Sequence, residues 1–231
     1  MSSQRQRKHV YVIAGVNGAA KSSVAGETFR QSGADYYNPD EAARLLLTAN
    51  PTLTQTEANS AAWHEGVRLL KRAINEQLDF AFETTLGANT IPRLLKQAAN
   101  AGIEIYVWYV GLESPELHIA RVKSRVARGG HDISEEDIRR RYEHSRLNLI
   151  DLLPALRALR IFDNSSEADL AAGQTPKPKL VLSMERGKIL EPKDLTHTPV
   201  WAKPIVAAAL KLTRKLAKTR RQQIRQKEGF R

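Results

Sequence analysis

His9-Val10-Tyr11-Val12-Ile13-Ala14-Gly15-Val16-Asn17-Gly18-Ala19-Ala20-Lys21-Ser22 is the stretch from which the fold is read. Its first six residues, His9 to Ala14, read as a short buried strand. A glycine-rich turn follows, and a helix is expected to begin near Ala20. A strand, a glycine-rich loop and a helix in this order aim backbone N–H groups and a helix N-terminus at one point, an arrangement that cradles phosphate. Residues Gly15 to Ser22 match the pattern G-x-x-x-x-G-K-[ST] with one departure. Ala20 stands where glycine is usual, because the backbone there must approach the phosphates with no side chain in the way. Within this pattern Lys21 reaches the β/γ oxygens and Ser22 offers its hydroxyl to Mg²⁺. The nucleotide-binding candidates are therefore Gly15, Asn17, Gly18, Ala19, Ala20, Lys21, Ser22 and Ser23, with ATP and Mg²⁺ as cofactors and Ser22 as the metal ligand.

Outward from that loop, strands and helices alternate. A second strand at Asp35 to Tyr37 leads through Asn38-Pro39 into a helix, Asp40 to Leu47. Thr54-Gln55-Thr56-Glu57 has the form of a capping box, opening a long helix to about Gln77. Strands follow at Phe80 to Glu83, Ile103 to Val110 and Leu159 to Phe162. The helices between them start at Asn89 or Thr90 with Pro92 in the first turn, at Ser114-Pro115, and at Ser134 after a break at Gly129-Gly130. Alternation of this kind implies a mainly parallel sheet covered on both faces, a three-layer α/β fold with a phosphate-binding loop. Residues 1–170 are read as this domain. Residues 171–231 are read as a C-terminal hairpin, Leu180 to Met184 and Lys188 to Leu190, followed by a basic helix from about Lys203.

The chain of 231 residues carries a net charge of +11, all of it in the tail. Residues 1–170 hold 21 basic and 21 acidic side chains, whereas 171–231 hold 15 and 4. A neutral body argues against a polymer crossing the cleft, and a basic tail gives nucleic acid a salt-dependent place to bind. Ile205, Ala209, Leu212 and Leu216 form an apolar stripe at helical spacing, expected to dock on the body or on a partner. Beyond Lys218 no apolar face remains and disorder is expected. No apolar run approaches the roughly 20 residues of a membrane span, and Val10 to Ala14 is too short for a signal-peptide core. The expectation is a cytoplasmic protein with no membrane contact. The absence of cysteine excludes disulfides, thiolate metal sites and cysteine nucleophiles.

Four further segments occur in order: Asn38-Pro39-Asp40-Glu41; Phe82-Glu83-Thr84-Thr85-Leu86; Arg128-Gly129-Gly130-His131-Asp132-Ile133; and Ile138 with Arg139-Arg140-Arg141-Tyr142. With the loop around Asn17-Gly18, they make the chain resemble the zeta-toxin family of kinases over about residues 9–165. The resemblance implies a kinase that phosphorylates a sugar hydroxyl of UDP-N-acetylglucosamine, poisons cell-wall precursor synthesis and is held in check by an antitoxin. Related members act on other small substrates, and the lid region here is more like that of the shorter relatives.

Asp40, just past the second strand at the carboxyl end of a parallel sheet, faces the ligand crevice and is the candidate base for a substrate hydroxyl. As the alternative, it is only a favourable charge on a helix N-terminus. Glu83, Thr84 and Thr85 emerge together at the end of the third strand and are candidates to grip substrate or to assist Mg²⁺; otherwise they are a strand-end charge with capping threonines. Arg121, Arg125 and Arg128 share a helix face that leads into Gly129-Gly130, and Arg139, Arg140 and Arg141 begin the next helix. At least one of Arg125, Arg128 and Arg140 is expected to contact phosphate, with Arg125 and Arg128 also candidate catalytic charges beside Lys21. His131 is read as orienting the lid loop or touching phosphate. Three functions stay open: a small-molecule kinase, a nucleic-acid-linked kinase or ATPase, and a nucleotide-binding protein whose turnover Ala20 has weakened.

Overall fold

In the computed structural model, which describes residues 7–22, 36–166 and 178–228, seven strands form one sheet. They are β1 (His9–Ala14), β2 (Tyr36–Tyr37), β3 (Phe80–Thr84), β4 (Glu104–Gly111), β5 (Ala158–Asp163), β6 (Lys179–Glu185) and β7 (Lys188–Glu191). Their order across the sheet is β2-β3-β1-β4-β5-β6-β7. The first five run parallel, and β6 and β7 add on antiparallel beyond β5.

β1 is central because it is apolar on both faces: Val10, Val12, Ile13 and Ala14 are fully buried. It pairs Val12 with Phe82 on one side and with Val107 on the other. A parallel strand buried on both faces needs a continuous apolar run, and this run ends at Gly15. The loop that follows is thereby delivered to the carboxyl edge of the sheet between β3 and β4, where parallel sheets place ligands.

The helices are α1 (Pro39–Ala49), α2 (Gln55–Glu76), α3 (Thr90–Asn100), α4 (Pro115–Val126), α5 (Glu135–Leu152) and α6 (Lys203–Glu228). The expected capping box is present: Thr54 accepts from the Glu57 N–H, and the Glu57 carboxylate accepts from the Thr54 N–H at 2.8 Å. Ser114 and Ser134 cap α4 and α5 through Leu117 N and Asp137 N. The cap of α3 differs from the sequence reading: Asn89 lies in helical backbone conformation and makes no side-chain cap bond. The helix expected after the loop lies outside the described residues beyond Ser22, as do Ser23, Asp35 and residues 167–177.

The C-terminal hairpin turns through Arg186 and Gly187, both at positive φ (47° and 72°), as a two-residue connection matching strand twist requires. It extends the main sheet, and Trp201, Ile205, Val206 and Ala209 bury themselves in the same core as Val107 and Leu159. Past Lys218 the expected disorder is not found, since α6 runs on to Glu228. Arg, Gln and Lys are strong helix formers, so the chain continues the helix without an apolar face. Among the described residues no helix is long and apolar enough to cross a membrane.

Candidate active site

The loop after β1 owes its shape to close approaches. Gly15 has φ +147°, and a Cβ there would lie 2.2 Å from the Val110 carbonyl oxygen of β4. Gly18 has φ +85° and presses on the His118 carbonyl oxygen, with 2.8 Å left for a Cβ. Ala20 also sits at positive φ, 61°. Glycine is usual at that position for conformational freedom as well as for space, and alanine holds it at a cost of about 1 kcal/mol.

Three side chains hold the loop from behind. His118 of α4, 1% exposed, donates Nδ1–H to the Asn17 carbonyl at 2.7 Å, which fixes its tautomer. Burial pushes its pKa down to about 4, with the charges of Lys21 and Arg121 acting the same way and the bond to Asn17 opposing. His118 is therefore a neutral buried donor. Asn164 donates to the Ala19 carbonyl at 3.1 Å, and Arg121 holds the Asn164 carbonyl at 2.8 Å. Arg121 is thus turned to the back of the loop.

In front of the loop, Asn38 links two functional segments. Its Oδ1 caps α1 by accepting from Asp40 N at 2.9 Å and Glu41 N at 3.4 Å, while its Nδ2 lies 3.5 Å from Ser22 Oγ. The helix that presents Asp40 and the hydroxyl that follows Lys21 are so held by one amide. The Asp40 side chain remains exposed toward the cleft.

β3 contributes Glu83, 5% exposed, whose Oε1 accepts the Tyr36 hydroxyl proton. Thr84 Oγ1 accepts from Leu86 N at 3.1 Å and Thr85 Oγ1 from Gly87 N at 3.2 Å. These bonds fold the loop back on itself and use lone pairs, leaving each hydroxyl proton for a further partner.

These parts enclose a cleft of about 540 Å³. Its walls include Asn17, Lys21, Asn38, Asp40, Glu83, Thr84, Thr85, His131, Arg140 and Arg141, and α2 adds Thr56, Asn59, Ser60 and Trp63. Lys21, Asp40, Glu83, Thr84, Thr85 and Arg140 are therefore brought together. Arg125 and Arg128 are not among the lining residues. Arg125 donates to the His131 carbonyl at 3.0 Å from behind the lid loop, and Arg128, in the exposed turn after α4, donates to the Ser124 carbonyl at 3.2 Å. Arg140 stands at the rim, paired with Asp137.

On the cleft side the loop is met by Arg141. Its Nη1 donates to Asn17 Oδ1 at 2.8 Å, and its chain crosses Gly87, where a Cβ would lie 2.7 Å from Arg141 Cγ. His131 is half-buried, and burial lowers its pKa, helped by Arg125 and Arg141 and opposed by Asp40. His118, Tyr36 and Trp63 carry no sequence signal of their own, and Asn38 enters the sequence reading only within the segment Asn38-Pro39-Asp40-Glu41.

The sequence profile of the zeta toxin family matches residues 1–175. The chain belongs to the zeta toxin family. An uncharacterised protein of Haemophilus influenzae is 31% identical to this zeta-toxin chain over 138 residues, 59% of this chain and 94% of the relative. Among solved structures, a chain of the AvrRxo1-ORF1:ORF2 complex with ATP superposes at TM-score 0.61 and 13% identity, covering 80% of this chain. The zeta-toxin chain spans 61% of the length of that neighbour. A chain of the PezAT chromosomal toxin–antitoxin system of Streptococcus pneumoniae superposes at TM-score 0.51 and 13% identity, covering 94% of this chain and 89% of that one. The fold is the α/β arrangement expected from the sequence. Family membership supports a nucleotide-binding phosphotransferase of kinase type.

Proposed function

We propose that this chain is an ATP- and Mg²⁺-dependent kinase that transfers the γ-phosphoryl group of ATP to a hydroxyl of a UDP-amino sugar or similar small substrate, such as UDP-N-acetylglucosamine. The observation that carries the proposal is that Lys21 of the loop and the Asp40 carboxylate line the same cleft. Phosphoryl transfer asks a protein mainly to position and neutralise. Asp40 accepts the proton of the attacking hydroxyl as the new O–P bond forms and the bond to the β-phosphate oxygen breaks, releasing ADP. Lys21 and Arg141 offset the charge spread over the equatorial oxygens, and Asn17 holds Arg141 in place. Glu83, Thr84 and Thr85 bind substrate hydroxyls. Gly15 to Ser22, with Ser23, hold the nucleotide.

The donor set suits Mg²⁺. Among the described residues no group of three or more His, Asp or Glu builds a metal site by itself. The Ser22 hydroxyl is the protein ligand, and phosphate oxygens and water supply the rest, as is usual for this ion. When bound, Mg²⁺ neutralises charge on the β- and γ-phosphates.

The family and the PezAT neighbour support an antitoxin as protein partner. The test is purified chain with ATP, Mg²⁺ and a panel of UDP-sugars, nucleosides and oligonucleotides, scored by mass spectrometry for a product heavier by one phosphoryl group. Product from a UDP-sugar alone is expected. Product only from oligonucleotides makes the chain a nucleic-acid kinase, and ATP binding without product makes it a nucleotide-binding protein.

A further inference from the structure

α6 divides into two faces of opposite character. At 100° per residue, Ile205, Ala209, Leu212, Thr213 and Leu216 share one side. Ile205 and Ala209 are fully buried, Leu212 packs against the core, and Thr213 Oγ1 donates to the Gly187 carbonyl at 2.8 Å. Lys203, Lys211, Arg214, Lys215, Lys218 and Arg221 fall within about 120° on the other side, turned away from the body. All six are exposed. Among the described residues none of the six forms an ion pair. From Lys203 to Arg221 the stripe is about 27 Å long at 1.5 Å per residue.

A row of unpaired cations on a rigid helix repels itself and gains most from a ligand with regularly spaced negative charge. Duplex nucleic acid presents one charge per roughly 1.7 Å of its axis, so a stripe of this length runs beside more phosphates than it has cations. The chemistry separates this ligand from two others. A membrane-bound amphipathic helix inserts its apolar face, and here that face is occupied by the protein core. Protein interfaces are enriched in aromatic residues and depleted of lysine at their centre, the reverse of this face. Lys203–Glu228 contains no aromatic residue, which also removes the stacking platform that single strands need.

We propose that the exposed face of α6 binds the phosphate backbone of duplex nucleic acid without reading its sequence. α6 lies against α5, β7 and the turns beside β5, on the edge of the sheet opposite β2 and β3, which wall the cleft. Duplex held there is an anchor for the protein and not a substrate in the cleft. The proposal does not depend on which small molecule the cleft accepts.

The experiment is fluorescence anisotropy of the full chain with a short labelled DNA duplex of mixed sequence. The expected slope of log affinity against log salt is between about −3 and −5, a loss of about 10²–10³-fold between 50 and 200 mM salt. The triple variant Lys211→Gln, Lys215→Gln, Lys218→Gln should reduce the slope by about 3 and bind ATP as the wild type does. The proposal is overturned by absence of duplex binding at low salt, by an unchanged slope in the triple variant, or by equal or tighter binding to polyglutamate or to anionic phospholipid vesicles under the same conditions.

Discussion

Arg141 and Asn17 are joined by a 2.8 Å hydrogen bond that ties the start of α5 to the loop after β1. Asn17 is nine-tenths or more buried, and its carbonyl is held by His118 on the other side. The loop is gripped between α4 and α5, so Arg141 is held beside the proposed phosphate site by protein contacts alone.

Arg141→Ala should lower kcat for phosphoryl transfer by about 10³-fold or more, the lower end of what a phosphate-directed arginine contributes. Arg141→Lys should recover little, because a point charge does not reproduce the planar fork that reaches Asn17 and phosphate together. Arg128→Ala should stay near wild type, since its guanidinium bonds the Ser124 carbonyl at the end of α4. Steady-state kinetics on the three variants decides the matter, and a damaging Arg128→Ala beside a silent Arg141→Ala would reverse the assignment.

Ala20 at φ 61° carries avoidable strain. Ala20→Gly should stabilise the chain by about 1 kcal/mol at that backbone conformation and tighten ATP binding. Chemical denaturation and calorimetric titration with ATP read the two effects. Loss of affinity in the variant would mean that the methyl group is part of the site.

His118 makes stability depend on pH. Its folded pKa is about 4 against an ordinary 6.5, so the unfolded chain takes up a proton first as pH falls. Above 6.5 both states are neutral and the residue has no effect. Between 6.5 and 4 the folded state loses about 3 kcal/mol relative to the unfolded one, and below 4 the loss is constant. His118→Asn keeps a donor near the Nδ1 position without titrating. Its denaturation free energy should therefore fall less than that of the wild type over this window, and parallel curves would show that His118 is not neutral in the fold.

Gly111 ends β4 against Trp201, where a Cβ would lie 2.3 Å from the indole. Gly111→Ala should cost about 1–3 kcal/mol as an overpacked contact. It should also move Trp201 off Asp163, which its Nε1 approaches at 3.3 Å. Denaturation followed by tryptophan fluorescence checks this, and unaltered stability would mean the ring moves aside freely.

The parallel sheet was legible because its strands are continuous apolar runs ending in glycine, threonine or asparagine, and the capping box because its two members, Thr54 and Glu57, are three residues apart. Arg141 was harder. Three consecutive arginines point 100° apart, and the face is set by Ile138, Tyr142, Ser145 and Leu149, which are buried. On that wheel Arg141 lies beside the buried face and Arg140 nearly opposite it, so the signal was present in Ile138 and Tyr142. His118 left no such signal. It is one residue of an ordinary amphipathic helix, and its role depends on the tertiary placement of Asn17, 101 residues away. Arg125 and Arg128 approach the Gly129-Gly130 break in sequence, which is what makes them candidates there. The helix instead ends with both guanidinium groups bonded to local carbonyls, outside the lining of the cleft.

The most direct test of the account is Asp40→Asn with a UDP-sugar that the wild type phosphorylates, measuring kcat and ATP affinity together. A positioned base that takes the hydroxyl proton contributes about 10²–10⁴-fold, so kcat should fall by that factor while the dissociation constant for ATP stays unchanged. An Asp40→Asn enzyme with wild-type kcat, or a wild-type chain that binds no ATP with Mg²⁺ present, would contradict it.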